Sequence, residues 1–255
     1  MDNFDLVIVS HEKDFNNIKF IVEFCEKNIG FESVHLILSE RETYKDEYIL
    51  RQKTNKMIYI HKESDVLKIE KNRLRHRPDW IYQMFLKMFQ NVTLNDNFLI
   101  IEADCLILNK IEFFENQKTI FFLGRNQNWE PYFKFNNLFG FGRDFDHSFI
   151  SEFMMYDKKI IREMLQKFKC DTVNDFLEIC YDKIDGSCYP ADYEFYGNYC
   201  MKYHKENFTT KPLNWSLYGR DKTESPKWSD DEIKNLINSN CDKDVISFHT
   251  WGFND

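Results

Sequence analysis

Apolar residues in this chain fall into short runs separated by polar stretches, and the period of the pattern changes along the sequence. Leu6–Val9 is a β-branched run of strand length. From Asn17 to Asn28 the period lengthens: Ile18, Ile21, Val22 and Cys25 share one helical face, and Gly30 is placed to stop the helix. Val34–Leu38 and Met57–Ile60 predict a second and a third strand. Pro78 then introduces a helix over Asp79–Phe89, with Trp80, Met84, Phe85 and Met88 at helical spacing. Phe98–Ile101 is apolar throughout and predicts a buried central strand. The second half is less regular. It predicts strands over Ile120–Leu123 and Phe149–Tyr156, a helix capped by Asp157 and running to Lys169, and another after Asp171. A tyrosine-rich helix over Tyr193–Tyr203, a charged helix over Ser229–Asn238 and a strand over Val245–Phe248 complete the pattern.

Strands alternating with helices predict an α/β fold, a mainly parallel sheet flanked by helices in one domain. Ligands of such sheets sit beyond the carboxyl ends of the strands. The positions to inspect are therefore Ser10-His11-Glu12, Ser39-Glu40, His61-Lys62 and Glu102-Ala103-Asp104.

Composition changes the picture in a few places. At 255 residues with 43% hydrophobic and 17% aromatic content, the chain can bury a sizeable core. A net charge of −8 argues against a general nucleic-acid binder, and a phosphate-bearing ligand would need a local cation. The 7 cysteines form no CxxC pair, and no apolar run approaches the roughly 18 residues of a membrane span. Sequons stand at Asn91, Asn207 and Asn214, without a signal-peptide pattern ahead of them. The expectation is a cytoplasmic protein with reduced thiols and no transmembrane segment.

The sharpest chemical signal follows the most apolar strand. In extended chain, alternate side chains point the same way, so Glu102 and Asp104 can converge on one ion, with the small Ala103 letting a ligand approach the backbone. Mg²⁺ and Mn²⁺ take such oxygen ligands together with substrate phosphates.

These residues carry a resemblance. Val7–Asp14, Trp80–Lys87, Ile100–Leu108 and Tyr189–Tyr199, with weaker support from Phe248–Trp251, resemble in order and kind the small GT-A glycosyltransferases, more closely a group of bacterial and algal-virus sugar transferases. The resemblance implies a GT-A-like, Rossmann-type fold, with residues 1–108 as a nucleotide-binding half and 109–255 as an acceptor-side half. It implies a nucleotide-diphosphate sugar as donor, a glycan or other glycoconjugate hydroxyl as acceptor, and Mn²⁺ or Mg²⁺ at an Asp-x-Asp motif. Glu102 replaces the first aspartate of that motif, and His249 would complete the metal site. Ser10 and His11 would border base and ribose, with Asp14 reaching the same pocket or capping the following helix. Gln83 and Lys87, four apart on one helix face, would meet sugar hydroxyls and phosphate. An acidic residue at the position of Asp192 would be the base of an inverting transfer, and Glu194 would orient it or bind acceptor. The basic run Lys71–Arg77 is either a diphosphate clamp or solvated surface, and Trp129, Tyr132, Phe133, Trp215 and Trp251 are candidates for an acceptor groove. Two other readings remain. A nucleotidyltransferase would share the sheet and carboxylates, but the loop Ser10–Asp14 lacks its glycines. A non-catalytic carbohydrate- or nucleotide-binding module would need no base.

Overall fold

The computed structural model describes residues 3–11, 14–39, 47–219 and 227–249. Its centre is a five-stranded sheet in the order β3-β2-β1-β4-β8. The strands are β1 (Phe4–Ser10), β2 (Ser33–Leu38), β3 (Met57–Lys62), β4 (Asn97–Glu102) and β8 (Phe153–Asp157). The first four run parallel, and β8 pairs antiparallel with β4. The sheet grows outward from β1 through β2 to β3, then returns to add β4 on the other side of β1. Neighbouring connections therefore diverge between the ends of β1 and β4, which is where parallel sheets open a crevice.

Every residue of β1 and β2 is buried, the polar Asp5, Ser33 and His35 among them held by one another: the Ser33 hydroxyl lies 2.6 Å from Asp5 Oδ1 and 2.9 Å from His35 Nε2. Alternation sends Leu6 and Ile8 to one face of the sheet and Val7 and Val9 to the other. On the first face the core is closed by α1 (Phe15–Asn28), by Ile233 of α9 (Asp230–Ser239), and by a small sheet. That small sheet has the order β10-β11-β5, built from β10 (Trp215–Gly219), β11 (Val245–His249) and β5 (Cys105–Ile107). On the second face lie α4 (Pro78–Phe89), α6 (Lys158–Lys167), α7 (Val173–Tyr181) and α8 (Asp192–Tyr203). A third sheet, β6 (Phe114–Glu115), β7 (Lys118–Leu123) and β9 (Phe208–Pro212), flanks the centre, and the short helices are α2 (Glu47–Arg51), α3 (Glu63–Val66) and α5 (Glu130–Asn137). The mixed α/β single domain with a mainly parallel sheet between helices is thus the fold the sequence pattern predicts. No helix among the described residues is long and apolar enough to cross a membrane.

Two local expectations differ from the structure. Gly30 is not the helix stop, because α1 already ends at Asn28 and is capped by Ile29, whose extended backbone (φ −136°) still returns its N–H to the Cys25 carbonyl. The strand expected from Phe149 begins only at Phe153, because Glu152 adopts a left-handed backbone at φ 66° and breaks the extended run. Asp157 caps α6 through its side chain, as the sequence predicts, and Ser229, expected as the first residue of the charged helix, is instead the side-chain cap of α9.

Candidate active site

Three connected cavities follow the carboxyl edge of the central sheet. The first, about 870 Å³, opens beyond β1, β2 and β3, between His11, Ser39, Glu63 and the α7 residues Leu177 and Tyr181. It shares His11 and Asp79 with a second of about 360 Å³, which lies at the β1/β4 divergence and is lined by Asp14, Arg77, Gln83, Ala103 and Asp104. This cavity in turn shares Trp80, Gln83, Glu102 and Asp104 with a third of about 190 Å³, which reaches Lys87, Glu152, Asp192 and His249.

Where the second and third cavities meet, ligand atoms of Asp104, Glu152 and His249 all lie within 4.8 Å of one another. Backbone bonds fix the geometry. Phe248 N–H donates to the Asp104 carbonyl at 2.9 Å, and Glu102 N–H to the Glu152 carbonyl at 2.9 Å. The left-handed backbone at Glu152 turns its side chain out of the β8 register, and His249 Nε2 stands 3.4 Å from Glu152 Oε2. Burial, then Glu152, Asp14 and Glu102, push the Asp104 carboxyl up to about 7 against the pull of His249. Burial opposes protonation of His249, but its hydrogen bond to Glu152 and the charge of Asp104 outweigh that and lift the ring to about 9. Two carboxylates and an imidazole this close together form a donor set suited to a small divalent cation.

Glu102 departs from the expected Glu102–Asp104 pair. Residues 103–104 form a turn between β4 and β5, so the alternation that would align the two carboxylates ends at Glu102. Both line the same cavities, but Glu102 is taken by the Lys87 ammonium and by Tyr193, whose Oη donates to Oε1 at 2.9 Å. Glu152 stands in the cation group instead. Its sequence signal was a single acidic residue inside the apolar stretch 149–156.

Lys87 is not on a solvated face. It is 2% exposed, ion-paired with Glu102, and 4.0 Å from Asp192 Oδ2. Burial works against its charge, while Glu102 and Asp192 hold its pKa above the ordinary lysine value. Asp192 is the first residue of α8 and not its cap, which is Ala191. Its Oδ2 is buried without a hydrogen-bond partner. Burial pushes its carboxyl up to about 7, with Lys87 opposing and Glu102 adding.

The remaining candidates separate clearly. Gln83 and Ala103 line the second cavity, and the Ala103 carbonyl is held by Asn17 Nδ2 at 3.1 Å. His11 lines two cavities, whereas Ser10 is 2% exposed with its hydroxyl on the His11 carbonyl at 3.3 Å. Asp14 lines the second cavity and makes no side-chain cap on α1. Glu194 is fully buried and binds Phe149 N–H at 3.1 Å and Asn198 Nδ2 at 2.9 Å, so it holds the loop ahead of β8 and faces no cavity. Trp129 and Tyr132 join Trp80 and Tyr189 in a cluster beside the third cavity, with Trp129 and Tyr189 stacked at 5.2 Å. Trp215 lies apart, in β10, and Glu12, Glu40, Thr250 and Trp251 lie outside the described residues.

No protein-family model matches the sequence, and no curated protein sequence matches it. Among solved structures, the chain is similar to mouse xyloside xylosyltransferase 1 in its apo form, at 10% identity and a TM-score of 0.50, over 97% of this chain and 98% of that one. At that identity the likeness concerns architecture alone: the chain shares the fold of a glycosyltransferase from end to end.

Proposed function

We propose that the protein is a metal-dependent glycosyltransferase that moves a sugar from a nucleotide-diphosphate sugar to a hydroxyl of a glycan or glycoconjugate. The observation that carries this reading is the placement of the Asp104–Glu152–His249 group where the second strand-end cavity meets the smaller third one, which holds Asp192. Nucleoside would occupy the large cavity beside His11. The donor sugar would reach the small one past Gln83, and the cluster of Trp129, Tyr132 and Tyr189 would border the acceptor. Mn²⁺ or Mg²⁺ held by Asp104, Glu152 and His249 would neutralise the leaving diphosphate. Glu102 stands beside that group and fixes Lys87. Residues 1–108 would supply most of the donor side and residues 109–255 the acceptor side, with α7 closing the large cavity and Glu152 and His249 completing the metal group.

Asp192 is assigned as the base. Its Oδ2 accepts the acceptor hydroxyl proton as that oxygen attacks the anomeric carbon opposite the diphosphate, so the transfer inverts configuration. A carboxyl raised to about 7 is matched to proton transfer near neutral pH. The finer likeness to bacterial and algal-virus sugar transferases rests on the sequence segments alone. A cytoplasmic setting is supported by the cysteines, none of which is paired.

The test is a thermal-shift screen of nucleoside diphosphates and their sugars with Mn²⁺. Wild type should be stabilised by at least one, Asp104→Ala by none. Asp192→Asn should keep the shift while transfer falls about 10²- to 10⁴-fold. Transfer by Asp192→Asn at the wild-type rate would remove the base assignment, and no nucleotide-dependent shift in wild type would remove the function.

A further inference from the structure

We propose that Gln127 is the contact through which the protein holds a pyranose as acceptor, and that Arg143, which lines none of the three cavities, positions it; this rests on the transferase reading given above. Gln127 belongs to the loop that joins β7 to α5, and it lines the third cavity together with Asp192 and Tyr132. It does not line the second cavity, whereas Gln83 lines both. Gln127 therefore stands on the side of the base, away from the path of the nucleotide.

Its carboxamide is of the right kind and is unengaged. Among the described residues no hydrogen bond or ion pair holds that side chain, and only the backbone N–H is used, donating to the Arg125 carbonyl at 2.9 Å. A carboxamide offers donors and an acceptor side by side, and a ring hydroxyl both donates and accepts. Two residues further on, Trp129 keeps 41% of its surface open although Tyr189 stacks on it at 5.2 Å. Open indole surface at the rim of a cavity suits the apolar face of a sugar ring.

Arg143 fixes this loop from behind. Its Nη1 donates to Asn128 Oδ1 at 2.8 Å and its Nη2 to Asn126 Oδ1 at 2.9 Å, so both neighbours of Gln127 are clamped by one guanidinium. Nη2 also donates to the Asp146 carbonyl at 2.8 Å, and Nε to the Phe145 carbonyl at 3.1 Å. Asn126 Oδ1 accepts the Ser148 N–H as well, at 3.1 Å, which ties the loop to the segment ahead of β8. The side chains of 126 and 128 thus go to Arg143 and that of 127 to the cavity. A rigid planar fork makes such a clamp, and an ammonium does not. Trp129 is anchored separately, by the stack on Tyr189, whose N–H donates to the Pro131 carbonyl at 3.1 Å. Arg143 therefore acts on the acceptor through Gln127 and not through the indole.

Saturation-transfer NMR of the full chain in Mn²⁺, with the methyl β-pyranosides of glucose, galactose and mannose, tests the assignment. Wild type should bind at least one of them. Gln127→Ala should melt as wild type does, since its side chain has no partner to lose, and should weaken that glycoside about 3- to 10-fold, as loss of one hydrogen bond does. Arg143→Ala should weaken it by the same factor and Arg143→Lys by less. The double variant Gln127→Ala/Arg143→Ala should lose no more than either alone. Mn²⁺ affinity, measured by titration, should stay unchanged in all of them. Undiminished binding or loss of folding in Gln127→Ala, additive losses in the double variant, or loss of Mn²⁺ in Arg143→Ala would overturn the proposal. Loss of the glycoside in Gln83→Ala with Gln127→Ala unaffected would place it in the donor subsite and overturn it too. Wild type that binds none of the glycosides overturns the acceptor class. Wild type that binds no nucleoside diphosphate in Mn²⁺ overturns the donor reading instead, and the two failures are distinguishable.

Discussion

Lys87 is 2% exposed and its acidic neighbours, Glu102 and Asp192, both line the third cavity, so its ammonium is the internal counter-charge of the site. Removing one partner of a buried ion pair leaves the other uncompensated, which typically costs 3–5 kcal/mol. Lys87→Met should therefore lower stability by roughly that amount in urea unfolding. It should also move the acid limb of the pH–rate profile upward, because Lys87 opposes the burial that raises Asp192 and Glu102 adds to it. An unshifted limb in a folded Lys87→Met variant would separate Asp192 from the rate. The same contacts explain what residue types could and could not reveal. Spacing paired Glu102 with Asp104 and the family resemblance added His249; the turn at 103–104 ends the alternation, and Glu102 is held by Lys87 and Tyr193. Glu152 was hidden because its contribution depends on a positive φ, which no apolar pattern encodes.

At the scale of elements, α8 and the loop ahead of β8 are fitted to one another. Glu194 of α8 holds the Phe149 amide, and Gly197 lies so close to Phe149 that a Cβ there would sit 2.3 Å from the ring. Gly to Ala inside a helix ordinarily gains roughly 0.5–1 kcal/mol. Gly197→Ala should instead cost about 1–3 kcal/mol, as overpacking does. By shifting residues 149–152 it should also weaken Mn²⁺ binding, measured by titration, while Ala substitutions elsewhere on α8 that avoid Phe149 leave it unchanged. The main elements were legible because each buries a recognisable apolar pattern: β1, β2 and the interior of β4 on both sides, α1 along one stripe, and α4 nearly all round in its second half. The small flanking strands were not, since β5 and β6 span only 3 and 2 residues, and β5 owes its pairing to β11, distant in sequence.

At the scale of the molecule, proton binding and cation binding are alternatives. His35 is pulled down to about 4 by burial, against Asp5, and is neutral in both folded and unfolded chains above about 6.5. In that range the raised groups dominate. His249, lifted to about 9, and Asp104 and Asp192, lifted to about 7, leave the folded protein with more protons than the unfolded chain. Their stabilisation is complete below the unfolded pKa values and lost as pH rises through the folded ones, so the metal-free protein should melt progressively lower from pH 6.5 to 9. Mn²⁺ should raise the melting temperature more at pH 8.5 than at pH 6.5, and an equal shift at both would detach these protons from the cation group. The three residues of the candidate cation group stand at positions 104, 152 and 249, and the last ends β11, which is threaded between β10 and β5. A chain emerging from the ribosome folds from its N-terminus, so until β11 is in place the crevice lacks both the imidazole and the tie from Phe248 to Asp104. The group is thus completed last by the same strand that pins its first carboxylate.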